Sequence, residues 1–230
     1  MIKCIKSFTL FEKLLWMFSV TVIITSAVIF GSSEPVSVGA SLIGVTSLIF
    51  IAKGHYIGQA LTIVFSVLYG IISVKQCYYG EAFTYLGMTA PSALFTMIVW
   101  IRHPYQNSDT VEVSSLTKTK IAGIVFFTIA AAVLFYYILS ALGNAQLLIS
   151  TISVSTSFLA ASLMFFRSPY YAVAYALNDI VLIILWVIAS FESVSCVPVT
   201  ACFAMFLFND LYGFYSWKKM KKQQNQNISN

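Results

Sequence analysis

Tyr170–Ser190 reads YYAVAYALNDIVLIILWVIAS. At a rise of about 1.5 Å per residue, this run is long enough to cross a hydrocarbon core about 30 Å thick. Near its centre an amide and an acid, Asn178 and Asp179, stand side by side. An acid at that depth costs about 2.5–3.5 kcal/mol on insertion scales, so it should face a protein interior and mark a function. Tyr171, Tyr175, Leu182 and Trp186 recur at helical spacing around the pair. One face therefore combines aromatic rings with a polar pair, as a small-molecule pocket does and a lipid-facing surface does not.

The rest of the chain has the same character. Of its 230 residues, 59% are hydrophobic and 9% charged, with a mean hydropathy of +0.87. No soluble domain of this size hides so much apolar surface, and the composition points to a helical protein that crosses the membrane many times. The first apolar run follows Lys3, Lys6 and Lys13 but lacks a small-residue cleavage site, so it reads as a span and not as a secretory leader. The net charge of +5 is a topology signal and not a nucleic-acid footprint. Cys4, Cys77, Cys196 and Cys202 have no metal-ligand spacing, although Cys77 and Cys196 fall near the same face and could pair.

Eight apolar segments run near 14–30, 36–52, 55–74, 82–101, 121–143, 145–166, 170–190 and 195–217. One long polar stretch, 102–120, divides the chain in two, and the basic, amide-rich tail from Lys218 reads as disordered. Twelve of the thirteen Lys and Arg fall on the side shared by both termini, the 53–55 turn, the 102–120 loop and Arg167. The opposite loops hold Lys75 with Glu34, Glu81 and Glu192. This asymmetry places both termini in the cytoplasm.

A weak repeat underlies the count. Lys53-Gly54-His55-Tyr56 opens the third span, and Arg167-Ser168-Pro169-Tyr170 opens the seventh, 114 residues on. Trp100-Ile101-Arg102 closes the fourth, and Trp217-Lys218-Lys219 closes the eighth, 117 residues on. The expected fold is an all-α integral membrane protein of eight transmembrane helices in a 1+3+1+3 order, with two parallel three-helix repeats and a linker helix. The units are 1–35 (N-terminal segment and extra helix), 36–102 (first repeat), 103–144 (loop and linker helix), 145–217 (second repeat) and 218–230 (tail).

Asn209 and Asp210 in the eighth span repeat the Asn-Asp dipeptide of the seventh. They fit either a pocket or helix-to-helix hydrogen bonding, which is worth about 1 kcal/mol. In the third span Gln59, Ser66, Tyr69 and Ser73 share a face that could line the other wall, or could simply pack. Pro91 frees a carbonyl in the fourth span and could kink it. Enzyme chemistry finds no support: His55 and His103 are the two histidines, and no metal, phosphate-loop or nucleophile motif occurs. No cofactor is called for.

At these residues the chain resembles the PnuC family of vitamin transporters, whose typical members carry nicotinamide riboside. The resemblance rests on the seventh span, the Trp-ended spans and the Asn209-Asp210-Leu211-Tyr212-Gly213 ending, and extends over most of the chain after residue 36. It implies a SWEET-like arrangement, a homotrimer in the bacterial inner membrane, and facilitated diffusion with trapping by phosphorylation inside the cell. The family motif Trp-x-x-Trp-x-x-x-Asn falls on Ala172, Tyr175 and Asp179, or on Tyr171, Ala174 and Asn178. Both tryptophans are absent in either register, which leaves nicotinamide riboside, thiamine, riboflavin and other nucleosides open as substrates. The candidate substrate residues are Tyr171, Tyr175, Asn178, Asp179 and Trp186, with Gln59 and Tyr69 opposite and Asn209 and Asp210 beside them. The expected partners are a small nucleoside or vitamin and membrane lipid, with no nucleic acid. Asp179 could also couple a proton or sodium ion, and the rival class is a non-transporting receptor or scaffold.

The charge split makes a direct prediction. A cysteine placed at Ser108 should be shielded from impermeant thiol reagents in intact cells, and one at Ser33 should react. The reverse labelling pattern would overturn the orientation and the span count together.

Overall fold

The computed structural model describes residues 8–30, 35–75, 82–106, 108–144 and 146–229. Lys3, Cys4, Lys6, Ser33, Glu34, Cys77 and Glu81, invoked above, lie outside them. The described chain is almost wholly helical, as a lipid environment requires, because only a helix satisfies its own backbone without water or a neighbouring strand. Eight helices carry the fold. They are α1 (Leu10–Phe30), α2 (Pro35–Ala52), α3 (Ile57–Lys75), α4 (Ala90–Arg102), α5 (Lys118–Ala141), α6 (Leu147–Phe165), α7 (Tyr171–Glu192) and α8 (Val197–Ser229). Among the described residues, six helical stretches are long and apolar enough to cross a membrane, while the apolar parts of α2 and α3 are shorter.

Six helices close a ring. α2 packs on α3, α3 on α4, α4 on α6, α6 on α7, α7 on α8, and α8 returns to α2. The first helix of each triplet thus meets the last helix of the other, the pattern of two equivalent three-helix units in parallel. α1 rests outside against α2 and α8, and α5 rests outside against α6. The 1+3+1+3 order is the order found.

The equivalence extends to single hydrogen bonds. α2 ends in a Schellman turn: Gly54 N–H donates to the Ile51 carbonyl (2.8 Å) and His55 N–H to the Phe50 carbonyl (3.0 Å). α6 ends likewise, with Arg167 N–H on Met164 (2.9 Å) and Ser168 N–H on Leu163 (3.0 Å). Gly54 and Arg167 both take the left-handed backbone that such a turn needs, at φ 67° and 57°. A side chain there costs about 1–2 kcal/mol, and the Arg167 guanidinium meets Glu112 at 3.5 Å. Gly54 therefore corresponds to Arg167, 113 residues on, one residue tighter than the sequence alignment above.

Two tryptophans complete the pattern. The Trp217 indole at the basic end of α8 donates to the Ile51 carbonyl of α2 (2.8 Å). The Trp100 indole at the basic end of α4 donates to the Met164 carbonyl of α6 (3.4 Å). The two rings meet at 5.3 Å between centroids and are almost fully buried. Tyr171 packs edge-on against Trp217 at 4.8 Å. Together with Ile51, Met164 and Val111 they form the apolar cluster that seals this end of the ring.

The loop after α4 straps across the seal. Val111 N–H donates to the Gly54 carbonyl (2.9 Å) and Ser114 N–H to the Arg167 carbonyl (3.0 Å), so the loop touches both Schellman turns. His55, buried under it, accepts from Ile57 N–H at Nδ1 (3.2 Å), and burial holds its imidazole below its ordinary pKa. The tail corrects the sequence reading: α8 does not dissolve at Lys218 but continues to Ser229. Its Lys, Met and Gln residues favour helix, and Trp217, Met220 and Gln224 share its inner face. The buried Gln224 amide donates to the Val111 carbonyl (3.1 Å) and accepts from Val113 N–H (2.8 Å), a tertiary partner that composition does not reveal.

α1 is docked by polar groups. Thr9 and Glu12 form a capping box, and the buried Glu12 carboxylate also takes Lys53 Nζ (3.1 Å) and the Tyr212 hydroxyl (2.8 Å). Removing the Trp217 side chain should loosen the sealed end. Trp217→Phe removes one of the two donors to the Ile51 carbonyl, which keeps the Gly54 N–H, and should cost about 0.5–1.5 kcal/mol; Trp217→Ala should cost about 3–5 kcal/mol. Thermal unfolding of the detergent-solubilised protein should rank them in that order, and a silent Trp217→Ala would contradict this packing.

Candidate functional site

Inside the ring lies a cavity of about 430 Å³, a size typical of small-molecule sites. Its mouth is at the end opposite the tryptophan seal, bordered by Gly143, Asn144 and Gln146 after α5 and by Glu192 at the end of α7. Its floor is formed by Ile51, Gln59 and Met164, directly above the seal. The floor is held in place by the Gln59 amide, which donates to the Met164 sulfur at 2.7 Å. On the mouth side Phe65, Leu182, Trp186, Phe203 and Phe206 of one apolar cluster shape the wall.

α7 supplies the richest wall. Tyr175, Asn178, Asp179 and Trp186 all border the cavity, as one helical face should. Asn178 is tethered: its Oδ1 accepts from the hydroxyls of Ser153 (3.2 Å) and Thr156 (2.8 Å) on α6. Asp179 and Asp210, which reaches the cavity from α8, bring their carboxyls close enough together for a side-chain hydrogen bond. Both are buried, at 3% and 4% exposure. The second oxygen of Asp179, Oδ2, is buried without a partner.

Three of the sequence candidates lie elsewhere. Tyr171 does not border the cavity; it is packed into the seal against Trp217, with its hydroxyl against the backbone of Gly213. Tyr69 stacks between Phe65 and Tyr85 behind the wall. Asn209 points about 100° away from Asp210 around α8 and donates to Ser19 on α1 (3.0 Å) and to the Met205 carbonyl (2.7 Å). The α3 stripe is also turned. Gln59, Thr62 and Phe65 border the cavity, whereas Ser66 and Ser73 are buried in helix contacts.

The structure adds two walls that were not singled out. Thr89, just ahead of α4, stands with Ser92 and Thr96 of α4, and α6 presents Ser150, Ser153 and Ser157. Each set recurs at spacings of three and four residues, the signal that could have found them. Thr84–Thr89 forms a π-helical turn ahead of α4, in which Ala90 N–H reaches back five residues to the Tyr85 carbonyl. Pro91 follows at once and has no N–H to give, so the regular ladder cannot run through this point. The wider turn brings Thr84, Tyr85, Met88 and Thr89 to the cavity wall. Pro91 thus stands at the junction of two helix types.

The cavity's charge is one-sided. Asp179, Asp210 and Glu192 border it, and no Lys, Arg or His is among the described residues that line it. The family described as "Nicotinamide mononucleotide transporter" matches residues 34–219. A nicotinamide riboside transporter PnuC of Neisseria mucosa is 23% identical over 189 residues, covering 80% of this chain and 72% of that protein. The PnuC of Haemophilus influenzae, also named a nicotinamide riboside transporter, is 23% identical over 185 residues, covering 79% and 78%. A crystal structure of the vitamin B3 transporter PnuC superposes with a TM-score of 0.82 at 22% identity, over 95% of this chain and 94% of that one.

Proposed function

Since the chain belongs to the nicotinamide mononucleotide transporter family, we propose that it imports the unphosphorylated nucleoside, nicotinamide riboside. The observation that carries this choice is the charge of the cavity lining: acids and aromatic rings, with no basic side chain among the described residues. A phosphate brings nearly two negative charges and asks for Arg, Lys or a helix N-terminus. A nicotinamide ring attached to ribose is a cation, suited to a carboxylate and to the face of Tyr175 or Trp186. Hydroxyls of α4 and α6, with the Asn178 amide, are placed for ribose and carboxamide groups.

With the basic end in the cytoplasm, the mouth opens outward and Glu192 meets the arriving cation. The substrate then passes inward by facilitated diffusion when the tryptophan seal opens, and phosphorylation inside the cell prevents its return. The site of action is the bacterial inner membrane. The apolar outer faces of α1 and α5, where Phe18, Phe126, Phe127 and Leu134 are exposed, meet lipid or the neighbouring subunits of a homotrimer. Thiamine shares the cationic aromatic character, and direct comparison separates it from nicotinamide riboside.

Uptake by cells that lack other routes should favour labelled nicotinamide riboside over its mononucleotide by at least tenfold. Equal uptake of both would contradict the charge argument. Tyr175→Ala should lose a stacking contact worth about 0.5–1.5 kcal/mol. Asp179→Ala should lose a charge-assisted hydrogen bond worth about 1.5–3 kcal/mol, a drop of about ten- to a hundredfold. Ile184→Ala, whose side chain is half exposed on the far side of α7, should transport normally. A normal Asp179→Ala variant would make the acid a packing residue.

A further inference from the structure

The two buried acids are the least expected feature of the cavity. Asp179 on α7 and Asp210 on α8, two helices packed against each other, bring their carboxyls within reach of a side-chain hydrogen bond. Both border the cavity and both are almost fully buried. A hydrogen bond between two carboxyls needs a proton on one of them. Two like charges in contact within a low-dielectric site do not both ionise, which is why paired carboxyls share a proton. Among the described residues that line the cavity, none supplies a compensating positive charge. α2, α3, α4 and α6 offer the lining only hydroxyls, amides, a thioether and apolar groups among the described residues. The titratable groups that sense the pair are Tyr171, Tyr175 and Cys202, all uncharged in their ordinary forms. Glu192 lies at the mouth, more than three turns along α7 from Asp179. On α1, Glu12 is occupied by Lys53 and Tyr212.

We propose that Asp179 and Asp210 act as one unit, holding a single proton between two carboxyls and presenting one negative charge to the cavity, and that this charge selects a monocationic ring over a neutral ligand of the same shape. The inference rests on the riboside reading above and deepens it. No donor of the described protein reaches Oδ2 of Asp179, so the charge of the pair is left for the ligand to meet. Asp210 is the positioning residue: it holds the proton and lets Asp179 carry the charge at the cavity surface. A single fixed charge also matches a single positive charge, so a bound cation leaves the site neutral, which suits passage through a bilayer interior.

Two ligands differing in little but charge make the test: nicotinamide riboside, a cation, and its reduced dihydro form, which is neutral. Binding of each to the purified protein is measured by calorimetry for the wild type, Asp179→Asn, Asp210→Asn and the double Asn variant. The wild type should prefer the cation by tenfold or more. Each single Asn variant leaves one carboxylate hydrogen-bonded to an amide and should keep most of that preference. The double variant should lose it while binding the neutral form as before. In the wild type, the binding enthalpy of the cation should not change among buffers of different ionisation enthalpy, because a unit that already carries one charge neither takes up nor releases a proton. That buffer series needs no variant to fold. Equal binding of the two forms by the wild type, a single Asn variant that abolishes the preference, or a whole proton released on binding would overturn the shared-proton unit and leave the riboside assignment standing. If neither form binds, the riboside assignment itself falls, and this inference with it.

Discussion

An indole N–H set against the last carbonyls of a neighbouring helix holds this protein together. Helices ending inside a bundle leave unpaired carbonyls that no lipid can satisfy. Here each Schellman turn meets part of that need and an indole adds a further donor, Trp217 for α2 and Trp100 for α6, with the two rings packed on each other. This one arrangement fixes three things: it locks the end of each triplet to the start of the other, closes the ring at its basic end, and leaves the opposite end as the way in. The one-sided cavity follows from it, as does the strap over both turns, which has two matching carbonyls, Gly54 and Arg167, to bind.

Within the ring, polarity is organised by cost. Hydroxyls in the lining find acceptors within the protein, as Thr89 does on the Thr84 carbonyl, Ser92 on the Thr89 carbonyl and Ser153 on Asn178, so they can stand in a cavity without a ligand at little expense. The acids cannot do so. Asp179 and Asp210 lean on each other, and no donor of the described protein reaches Oδ2 of Asp179. An orphaned buried acceptor costs about 1–3 kcal/mol, which a ligand's contact would recover. The two acids lie on α7 and α8, and these two helices also carry Tyr171 and Trp217 of the seal. Site and seal therefore share a helix pair, a short route by which an occupied cavity could bias the closed end.

Much of this was legible in the chain itself. Eight apolar runs gave eight helices, because length and hydropathy decide whether a segment spans. The face of Asp179 was legible because a charge at that depth has few places to go. What escaped had a common cause. Ser66 and Ser73 carry the same hydroxyl whether they line a pocket or pack a helix; Ser73 spends its own on the Tyr69 carbonyl. Asn209 looked like the twin of Asn178, yet its partner is Ser19 on α1, nearly two hundred residues away. The tail read as disordered because Gln224 is polar, and only the docked loop gives its amide something to hold. The repeat was seen one residue out of register, since a left-handed Arg167 does not announce itself as the counterpart of Gly54.

The central claim is that the cavity above the tryptophan seal, open at the end opposite the termini, is where the substrate sits. Ser157 on α6 lines that cavity and takes no part in the acid pair. With the four native cysteines replaced, a Ser157→Cys variant in intact cells tests the claim directly, by its rate of reaction with a small impermeant thiol reagent. The account predicts reaction from outside, slowed severalfold by nicotinamide riboside and not by its mononucleotide. A thiol that reacts only from the cytoplasmic side, or at the same rate with and without the riboside, would contradict it.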